Sequence, residues 1–123
     1  MWRLLRYLWV KFMFAREGDS ILLVEDHPVN REVLARMLWD LGYAVYTAAT
    51  GREALQVLEQ RPYALVLLDC QLPDISGFEV TEEIRRREGD MRRTPVVAVT
   101  AFTLEGERER CLRVGMDDFL SKP

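Results

Sequence analysis

The chain has 123 residues, which is enough for one domain to bury a core without disulfides or metal ions. Its composition, 49% hydrophobic and 30% charged, is that of an ordinary globular protein. The formal net charge of −3 argues against a general nucleic-acid-binding protein, which would present a basic face. Cys70 and Cys111 lie far apart in the sequence and match no metal-ligand spacing, so we predict two small buried thiols, as suits a reducing cytosol.

From Ile21 onward, segments typical of β-strands alternate with segments typical of α-helices. The strand-like segments are short apolar runs, as in parallel strands buried on both faces. The strands are predicted at 21–24, 43–47, 63–69, 95–99 and 118–121, and the helices at about 28–41, 51–60, 76–84 and 104–114. This alternation predicts a doubly wound α/β fold of the flavodoxin-like type, with a five-stranded parallel sheet in the order 2-1-3-4-5.

Several residues mark the ends of the predicted elements. Pro28 suits the first turn of a helix, and Gly42 is placed to end that helix. Thr50 is a candidate cap for the second helix, and Gly115 is placed to end the fourth. The arginine-rich stretch 85–93 is predicted to be a charged, mobile and solvated connector without an assigned partner.

Polar side chains stand at the carboxyl ends of four predicted strands. They are two acids after the first strand, one acid ending the third, a hydroxyl after the fourth and an amine after the fifth: Glu25, Asp26, Asp69, Thr100 and Lys122. Because ligands of open α/β sheets bind beyond the carboxyl ends of the strands, we expect all five to line one crevice. Taken alone, an acid or a threonine there can simply cap a helix, and a lysine can simply be solvated.

Three carboxylates, one hydroxyl and one ammonium form a coherent set for phosphoryl transfer. The carboxylates can hold Mg²⁺, which typically uses one or two carboxylates and keeps several waters. A carboxylate can also attack phosphorus to form an aspartyl phosphate. The cation and the lysine would neutralise charge on the phosphoryl oxygens, and the threonine hydroxyl would donate a hydrogen bond to one of them.

Four stretches of the sequence resemble the receiver domain of two-component response regulators. They are 23–30 (LVEDHPVN), 68–77 (LDCQLPDISG), 99–101 (VTA) and 117–123 (DDFLSKP). They follow the family's order and approximate spacing throughout 21–123. The stretches DCQLP and GMDD are most similar to receivers attached to hybrid histidine kinases. The chain is therefore identified as a member of this family, with its receiver domain at 21–123.

The resemblance implies a phosphoacceptor and a metal site. Asp69 would accept a phosphoryl group from a phosphohistidine. Glu25, Asp26 and Asp69, together with the backbone carbonyl of Gln71, would arrange Mg²⁺. The domain would catalyse its own phosphorylation and dephosphorylation and would not be an enzyme acting on a separate metabolite.

The resemblance also implies a conformational switch. Lys122 would pair with the acyl phosphate, Thr100 would swing towards it, and Phe119 would follow as an aromatic switch. The bond between Lys122 and Pro123 would be cis, as in the family, which is physically permitted before proline.

Two other functions are kept as alternatives. An Mg²⁺-dependent phosphohydrolase with an aspartyl nucleophile would need a second acid two residues after Asp69, where Gln71 stands. A degenerate receiver would serve only as a protein-interaction module. The complete set of five polar residues argues against it, whereas the lack of the usual fifth helix after Pro123 favours it. His27 is interpreted as a loop histidine, because no serine or cysteine nucleophile signature accompanies it.

Residues 1–20 form an apolar and basic segment that matches nothing in the family and is predicted to be helical. An amphipathic stripe runs through it: Leu5, Leu8, Trp9 and Phe12. It is too short and charged for a transmembrane helix and lacks a signal-peptide cleavage site. Three interpretations stay open. It is a surface anchor that contacts a membrane through 1–14, or the end of an upstream kinase helix, or a substitute for the fifth helix.

The expected partners and location follow from the family resemblance. A receiver implies a histidine kinase or a histidine phosphotransfer domain as the phosphoryl donor. We expect no nucleic-acid binding by this domain itself, and a homodimer is left open. The expected location is the cytoplasm, including the inner membrane surface if the domain is part of a kinase.

Overall fold

The computed structural model describes residues 19–90, 93–100 and 105–121, with the backbone alone at Thr100, Glu105 and Ser121. Five strands alternate with four helices in this part of the chain. The strands are β1 (Ser20–Val24), β2 (Ala44–Ala48), β3 (Leu65–Asp69), β4 (Val96–Thr100) and β5 (Asp118–Ser121). The helices are α1 (Pro28–Asp40), α2 (Gly51–Gln60), α3 (Gly77–Glu88) and α4 (Glu105–Arg113).

The five strands form one parallel sheet in the order β2-β1-β3-β4-β5. This confirms the predicted doubly wound α/β fold and its strand order. The strand boundaries differ from the prediction by at most two residues. β1 begins at Ser20, which the sequence assigned to the preceding segment, because Ser20 already pairs with Ala44 of β2.

The core has two parts, one on each face of the sheet, because successive strand residues point to opposite faces. On the first face, β1, β3, β4 and β5 meet the buried side of α1: Ile21, Leu23, Leu34, Leu38, Leu65, Leu67, Val97, Val99 and Leu120. On the second face the strands meet residues of α2, α3 and α4, among them Ala54, Phe78, Val80, Ile84 and Cys111. The near-continuous apolar strands of the sequence are therefore covered on both faces.

Short polar contacts begin the helices where the sequence placed them. Thr50 Oγ1 accepts a hydrogen bond from Glu53 N at 3.1 Å, which confirms the predicted cap of α2. Pro28 is at the start of α1, as expected. The interpretation of His27 as a loop histidine was incomplete: its Nδ1 accepts from Asn30 N at 3.4 Å and caps α1. Histidine is not among the preferred capping residues, so the sequence carried no signal for this role.

The predicted connector at 85–93 is wrong in its first part. Helix α3 continues to Glu88, and the Arg85 side chain is only 16% exposed. Its guanidinium donates to Gly115 O at 2.9 Å and Thr94 O at 2.8 Å, and it pairs with Asp117 at 2.9 Å. One fork of donors thus joins α3, the segment just before β4 and the turn before β5. Three consecutive arginines resemble a solvated stretch in sequence, because the partners of Arg85 lie far along the chain.

Gly77 brings the start of α3 against the end of β3. Its N–H donates to Cys70 O at 3.0 Å. A Cβ atom at this position would lie 2.4 Å from Asp69 O and 2.9 Å from Cys70 Cα, both of which are backbone atoms that cannot yield like a flexible side chain. Only glycine therefore fits here, and its absence of a side chain sets the position of the backbone at Asp69.

Some expectations lie outside the described residues. They concern the helical segment before residue 19, the side chain of Lys122 and the cis bond between Lys122 and Pro123. Two further expectations are that residues 1–20 take the place of a fifth helix and that the last predicted helix begins at residue 104. Within the described residues, no helix combines the length and the apolar character needed to cross a membrane.

We predict that Arg85→Ala lowers the free energy of unfolding by about 2–3 kcal/mol, because several charge-assisted hydrogen bonds are lost together. Arg85→Lys is expected to recover only part of this loss, since an ammonium cannot reproduce the planar fork. Chemical denaturation measures both. The matched control is Arg86→Ala, whose side chain is 72% exposed and pairs only at the surface, and it should leave the midpoint unchanged. Equal midpoints for Arg85→Ala and the control would contradict the role of Arg85.

We predict that Gly77→Ala lowers the free energy of unfolding by about 1–3 kcal/mol through overpacking against the β3 backbone. Gly106→Ala is the matched control. Gly106 lies in α4, and a Cβ atom there would meet no atom within 4 Å, so this substitution should be neutral or slightly stabilising. Thermal melts of the two variants should therefore move in different directions. A Gly77→Ala melt equal to that of the parent chain would show that the β3–α3 contact is not tight.

Candidate functional site

Three acidic side chains meet at the carboxyl edge of the sheet. β1 and β3 are neighbours, with Val24 opposite Leu68, so the next residues, Glu25 and Asp69, lie side by side. Asp26 follows on the same turn. Each of the three contributes one carboxylate oxygen to a group whose members all lie within 4.8 Å of one another. The sequence predicted this convergence, and for these three residues the geometry shows it.

The acids differ in their exposure to solvent. The Glu25 residue is 1% exposed and Asp69 is 4% exposed, whereas Asp26 is exposed. Polar neighbours orient the buried pair: Asn30 Nδ2 donates to Glu25 Oε1 at 3.5 Å, and Gln71 N donates to Asp69 Oδ1 at 2.9 Å. The site is therefore a small acidic crevice with two carboxylates in its wall and one at its mouth.

The donor set suits a hard divalent cation. All three groups offer carboxylate oxygens, which Mg²⁺ prefers. The three carboxylate oxygens already lie within 4.8 Å of one another, so small adjustments of the side chains would let them share one ion. Without a cation, two such charges at about 4 Å repel by about 1 kcal/mol in water and about 4 kcal/mol at an effective dielectric of 20. The crevice can thus hold a cation whose charge relieves this repulsion.

The loop after β3 is fixed by a further acid, Asp74, which no sequence pattern marked as part of the site. Asp74 Oδ1 and Oδ2 accept hydrogen bonds from Gly51 N and Arg52 N, both at 2.9 Å. Burial raises the pKa of Asp74. Hydrogen bonds from backbone N–H groups, at the start of α2 and within its own loop, lower the pKa by more than burial raises it, so the pKa lies below its usual value. Asp74 therefore ties the loop that follows Asp69 to the N-terminus of α2. The Pro-Asp pair in the sequence signalled a turn but not this distant partner.

The other predicted site residues are described in part. Asp69 pairs with Val99 in the sheet register, so the backbone of Thr100 lies one residue further along the same edge. Thr100 itself pairs with Ser121, the last described residue before Lys122. The backbone of Thr100 therefore lies at the acidic edge, while the side chain of Thr100 and all of Lys122 lie outside the described atoms.

Phe119 lies on β5 opposite Ala98 of β4. Its ring is partly buried against the cluster on the second face of the sheet, which includes Cys111 of α4. It is therefore on the side of the sheet covered by α4, two residues before the end of β5. Its role as an aromatic switch stays a prediction.

The two cysteines are in contact, which no pattern in the sequence indicated. Cys70 follows Asp69 directly, and its Sγ lies 3.9 Å from Cys111 Sγ of α4. Neither is in a disulfide, and both are buried, as predicted. Burial raises the pKa of both thiols, and the nearby Glu107 carboxylate adds to the effect. A pair 41 residues apart can meet only because α4 packs over the end of β3.

Comparisons with known proteins agree with this geometry. The sensor histidine kinase RcsC of Salmonella typhimurium is 46% identical over 109 residues, which are 89% of this chain and 11% of the kinase. The receiver domain of sensor histidine kinase PA1611 from Pseudomonas aeruginosa, solved with a magnesium ion coordinated in its active site cleft, has a TM-score of 0.77. It is 47% identical, over 86% of each chain.

A third similar structure is a complex. It contains the Saccharomyces cerevisiae histidine phosphotransfer signaling protein Ypd1 and the receiver domain of its downstream response regulator Ssk1. The match has a TM-score of 0.79 and 29% identity, and it covers 87% of this chain and 80% of that one. The family description "response regulator receiver domain" matches residues 21–123. With its parallel sheet in the order β2-β1-β3-β4-β5 and its acidic edge, the chain belongs to the response regulator receiver domain family.

Proposed function

We propose that this chain acts as a phosphorelay receiver, which accepts a phosphoryl group from a phosphohistidine onto Asp69 with the help of Mg²⁺. The observation that carries the proposal is the group of three carboxylates, Glu25, Asp26 and Asp69, at the carboxyl edge of the sheet. Family membership adds to it, and so does the Pseudomonas receiver that holds magnesium in its cleft. The domain boundaries of the proposal are 21–123 for the receiver and 1–20 for a separate preceding segment.

The metal ligands are Glu25, Asp26, Asp69 and the backbone carbonyl of Gln71. When bound, Mg²⁺ supplies positive charge that offsets the charge of the phosphoryl oxygens. Gln71 N already holds Asp69 Oδ1 at 2.9 Å, which fixes the direction of the carboxylate. Glu25 is held in the wall of the crevice by Asn30. These contacts prepare the site before donor and cation arrive, so little reorganisation is needed during transfer.

In the transfer step, a carboxylate oxygen of Asp69 attacks phosphorus while the bond between phosphorus and the donor imidazole nitrogen breaks. The electron pair of that bond returns to the imidazole, and an acyl phosphate forms on Asp69. Lys122 then pairs with the phosphoryl oxygens, and the Thr100 hydroxyl donates to one of them. The register of β4 and β5, which brings Thr100 opposite Ser121 at this edge, supports both assignments.

The new group adds negative charge and strong acceptor oxygens, and it favours the conformation in which Thr100 and Lys122 engage it. Phe119 turns inward as Thr100 moves, which alters the surface formed by α4 and β5. The partial burial of Phe119 beside α4 supports this step. The domain catalyses only its own phosphorylation and dephosphorylation, and any kinase activity belongs to another domain.

The donor is a histidine kinase or a histidine phosphotransfer domain. The similarity to the Ssk1 receiver, solved in complex with Ypd1, supports a donor of this class. The chain spans 11% of the length of the similar sensor kinase RcsC, which fits one module of a larger signalling protein. The location that we propose is the cytoplasm. If the larger protein is a membrane-bound kinase, the module lies at the inner surface of the membrane. Membrane contact through 1–14 and a homodimer remain predictions.

We predict that millimolar Mg²⁺ raises the melting temperature, because it binds the folded crevice and relieves repulsion among the carboxylates. A cation at 100 times its dissociation constant stabilises the fold by about 2.7 kcal/mol. Asp69→Asn should weaken this shift. The matched control is Asp40→Asn, since Asp40 lies at the end of α1, is exposed and pairs with the exposed Arg36. A melting curve that Mg²⁺ leaves unchanged would count heavily against the metal site.

Phosphoryl acceptance is tested by incubation with acetyl phosphate and Mg²⁺ followed by intact-mass measurement. We expect a gain of about 80 Da, the mass of one phosphoryl group, that disappears when EDTA is added beforehand. Asp69→Asn should abolish the gain, and Asp40→Asn should retain it. A phosphorylated histidine phosphotransfer protein should serve as donor in the same assay. Unchanged phosphorylation of Asp69→Asn would overturn the assignment of the acceptor.

A further inference from the structure

The contact between Cys70 and Cys111 is the feature that phosphoryl transfer does not use. Their sulfur atoms are 3.9 Å apart, and the residues are 5% and 0% exposed. A disulfide needs an S–S distance of about 2.05 Å, so the sulfur atoms must approach by roughly 1.9 Å. Both thiols belong to one chain and already face each other within the core, so no rearrangement of the fold is needed to align them.

One side of this pair is fixed. Cys70 follows Asp69 at the end of β3, and its carbonyl accepts a hydrogen bond from Gly77 N at 3.0 Å. Its Cα lies so close to Gly77 that a Cβ there would be 2.9 Å away. The backbone of Cys70 is therefore clamped between the strand and the start of α3, and it cannot move towards α4.

The other side is held less firmly. α4 has nine residues, and its main packing contact with a described element is with β5. Arg110 adds a contact over the ring of Phe78, with its guanidinium carbon 4.0 Å from the ring centroid. A small shift of this short helix towards β3 would close the sulfur gap, and a small shift away would expose the thiols to solvent.

We propose that Cys70 and Cys111 form a reversible intramolecular disulfide in the presence of a peroxide, and that this bond ties α4 to the end of β3. When α4 shifts away, one thiol loses its proton to solvent, and the resulting thiolate attacks the peroxide and is oxidised to a sulfenic acid, while the O–O bond breaks and the departing oxygen leaves as water or an alcohol. The second thiol then displaces the sulfenic oxygen as water, and the S–S bond forms. In total the two thiols lose two electrons and two protons, and one peroxide molecule takes up the two electrons and the two protons.

The bond has a direct mechanical consequence. α4 follows β4, whose last residue is Thr100, and it packs on β5, which carries Phe119. A tether from Cys111 to the residue next to Asp69 holds this helix in one position. If the chain works as the phosphorelay receiver proposed above, the tether opposes the rearrangement of α4 and β5 that follows phosphorylation. Peroxide would then act as a second input at the same site.

The disulfide is tested on the full chain with hydrogen peroxide. We expect an intact-mass loss of about 2 Da, for two hydrogen atoms, that dithiothreitol reverses. A peptide map under non-reducing conditions should show Cys70 linked to Cys111 in the monomer. Cys111→Ser should lack the linked peptide, and Cys111→Ala serves if the serine variant unfolds. Gains of about 16 or 32 Da at either cysteine without a linked peptide, or links between chains only, would overturn the proposal.

The tether is tested by hydrogen exchange of the α4 amides. Exchange should slow several-fold in the oxidised protein, return to its former rate in dithiothreitol, and be unaffected by peroxide in Cys111→Ser. A linked peptide with unchanged exchange in α4 would overturn the tether.

Phosphorylation by acetyl phosphate separates this proposal from the previous one. The oxidised protein should gain the phosphoryl group several-fold more slowly than the reduced protein, with recovery in dithiothreitol. One outcome is that the reduced protein never gains the phosphoryl group although peroxide forms the disulfide and slows hydrogen exchange in α4. That result would refute phosphoryl acceptance and leave the redox pair standing. A reduced protein that gains it but never forms the disulfide would refute the redox pair alone.

Discussion

Parallel pairing of β1 with β3 brings Glu25 and Asp69 side by side, and Asp26 joins them on the following turn. The fold thus concentrates negative charge in a crevice from which water is partly excluded, where like charges repel more strongly than in bulk solvent. No local preference of the chain would assemble such a group. It persists because the strands that carry it are buried on both faces, and their burial outweighs the repulsion. The remaining features of the site depend on this arrangement.

Backbone contacts, more than side-chain packing, hold the acceptor in place. The amide of Gln71 binds the Asp69 carboxylate, and Gly77 allows α3 to begin directly against the β3 carbonyl. Asp74 then ties the intervening loop to α2 through two amides. Each of these contacts fixes one point of the loop between β3 and α3. Asp69 itself is the last residue of β3, so these contacts fix the loop that follows it, while the mouth of the crevice stays exposed at Asp26.

Among the described contacts, helix α4 is attached through fewer elements than α1 and α2 are. α1 packs on β1 and β2, and α2 packs on α3 and β2, whereas α4 has its main described contact with β5. At the opposite end of the sheet, Arg85 joins α3 to the turn before β5, so this strand is anchored where it begins. α4 is thus a short helix whose main described packing is on one strand and whose Cys111 contacts Cys70.

The sequence by itself determined the fold class, the strand order and the edge at which the acids meet. Alternating apolar runs and helical spacing are local signals, and the rule that ligands bind beyond parallel strand ends is a property of the topology. The same reasoning correctly expected the cap at Thr50 and the buried state of both thiols. These features depend on residue type and on near neighbours, which a single sequence displays.

Only the tertiary structure decided the contacts between distant positions. Arg85 looked solvated because its partners at Thr94, Gly115 and Asp117 lie 9 to 32 residues away. Asp74 meets α2 across 22 and 23 positions, and Cys70 meets Cys111 across 41. The periodic spacing of apolar residues in a sequence does not show which side chains become neighbours once helices pack on a sheet. That choice follows from close packing and from the need of every buried polar group for a partner, and both are properties of the folded chain.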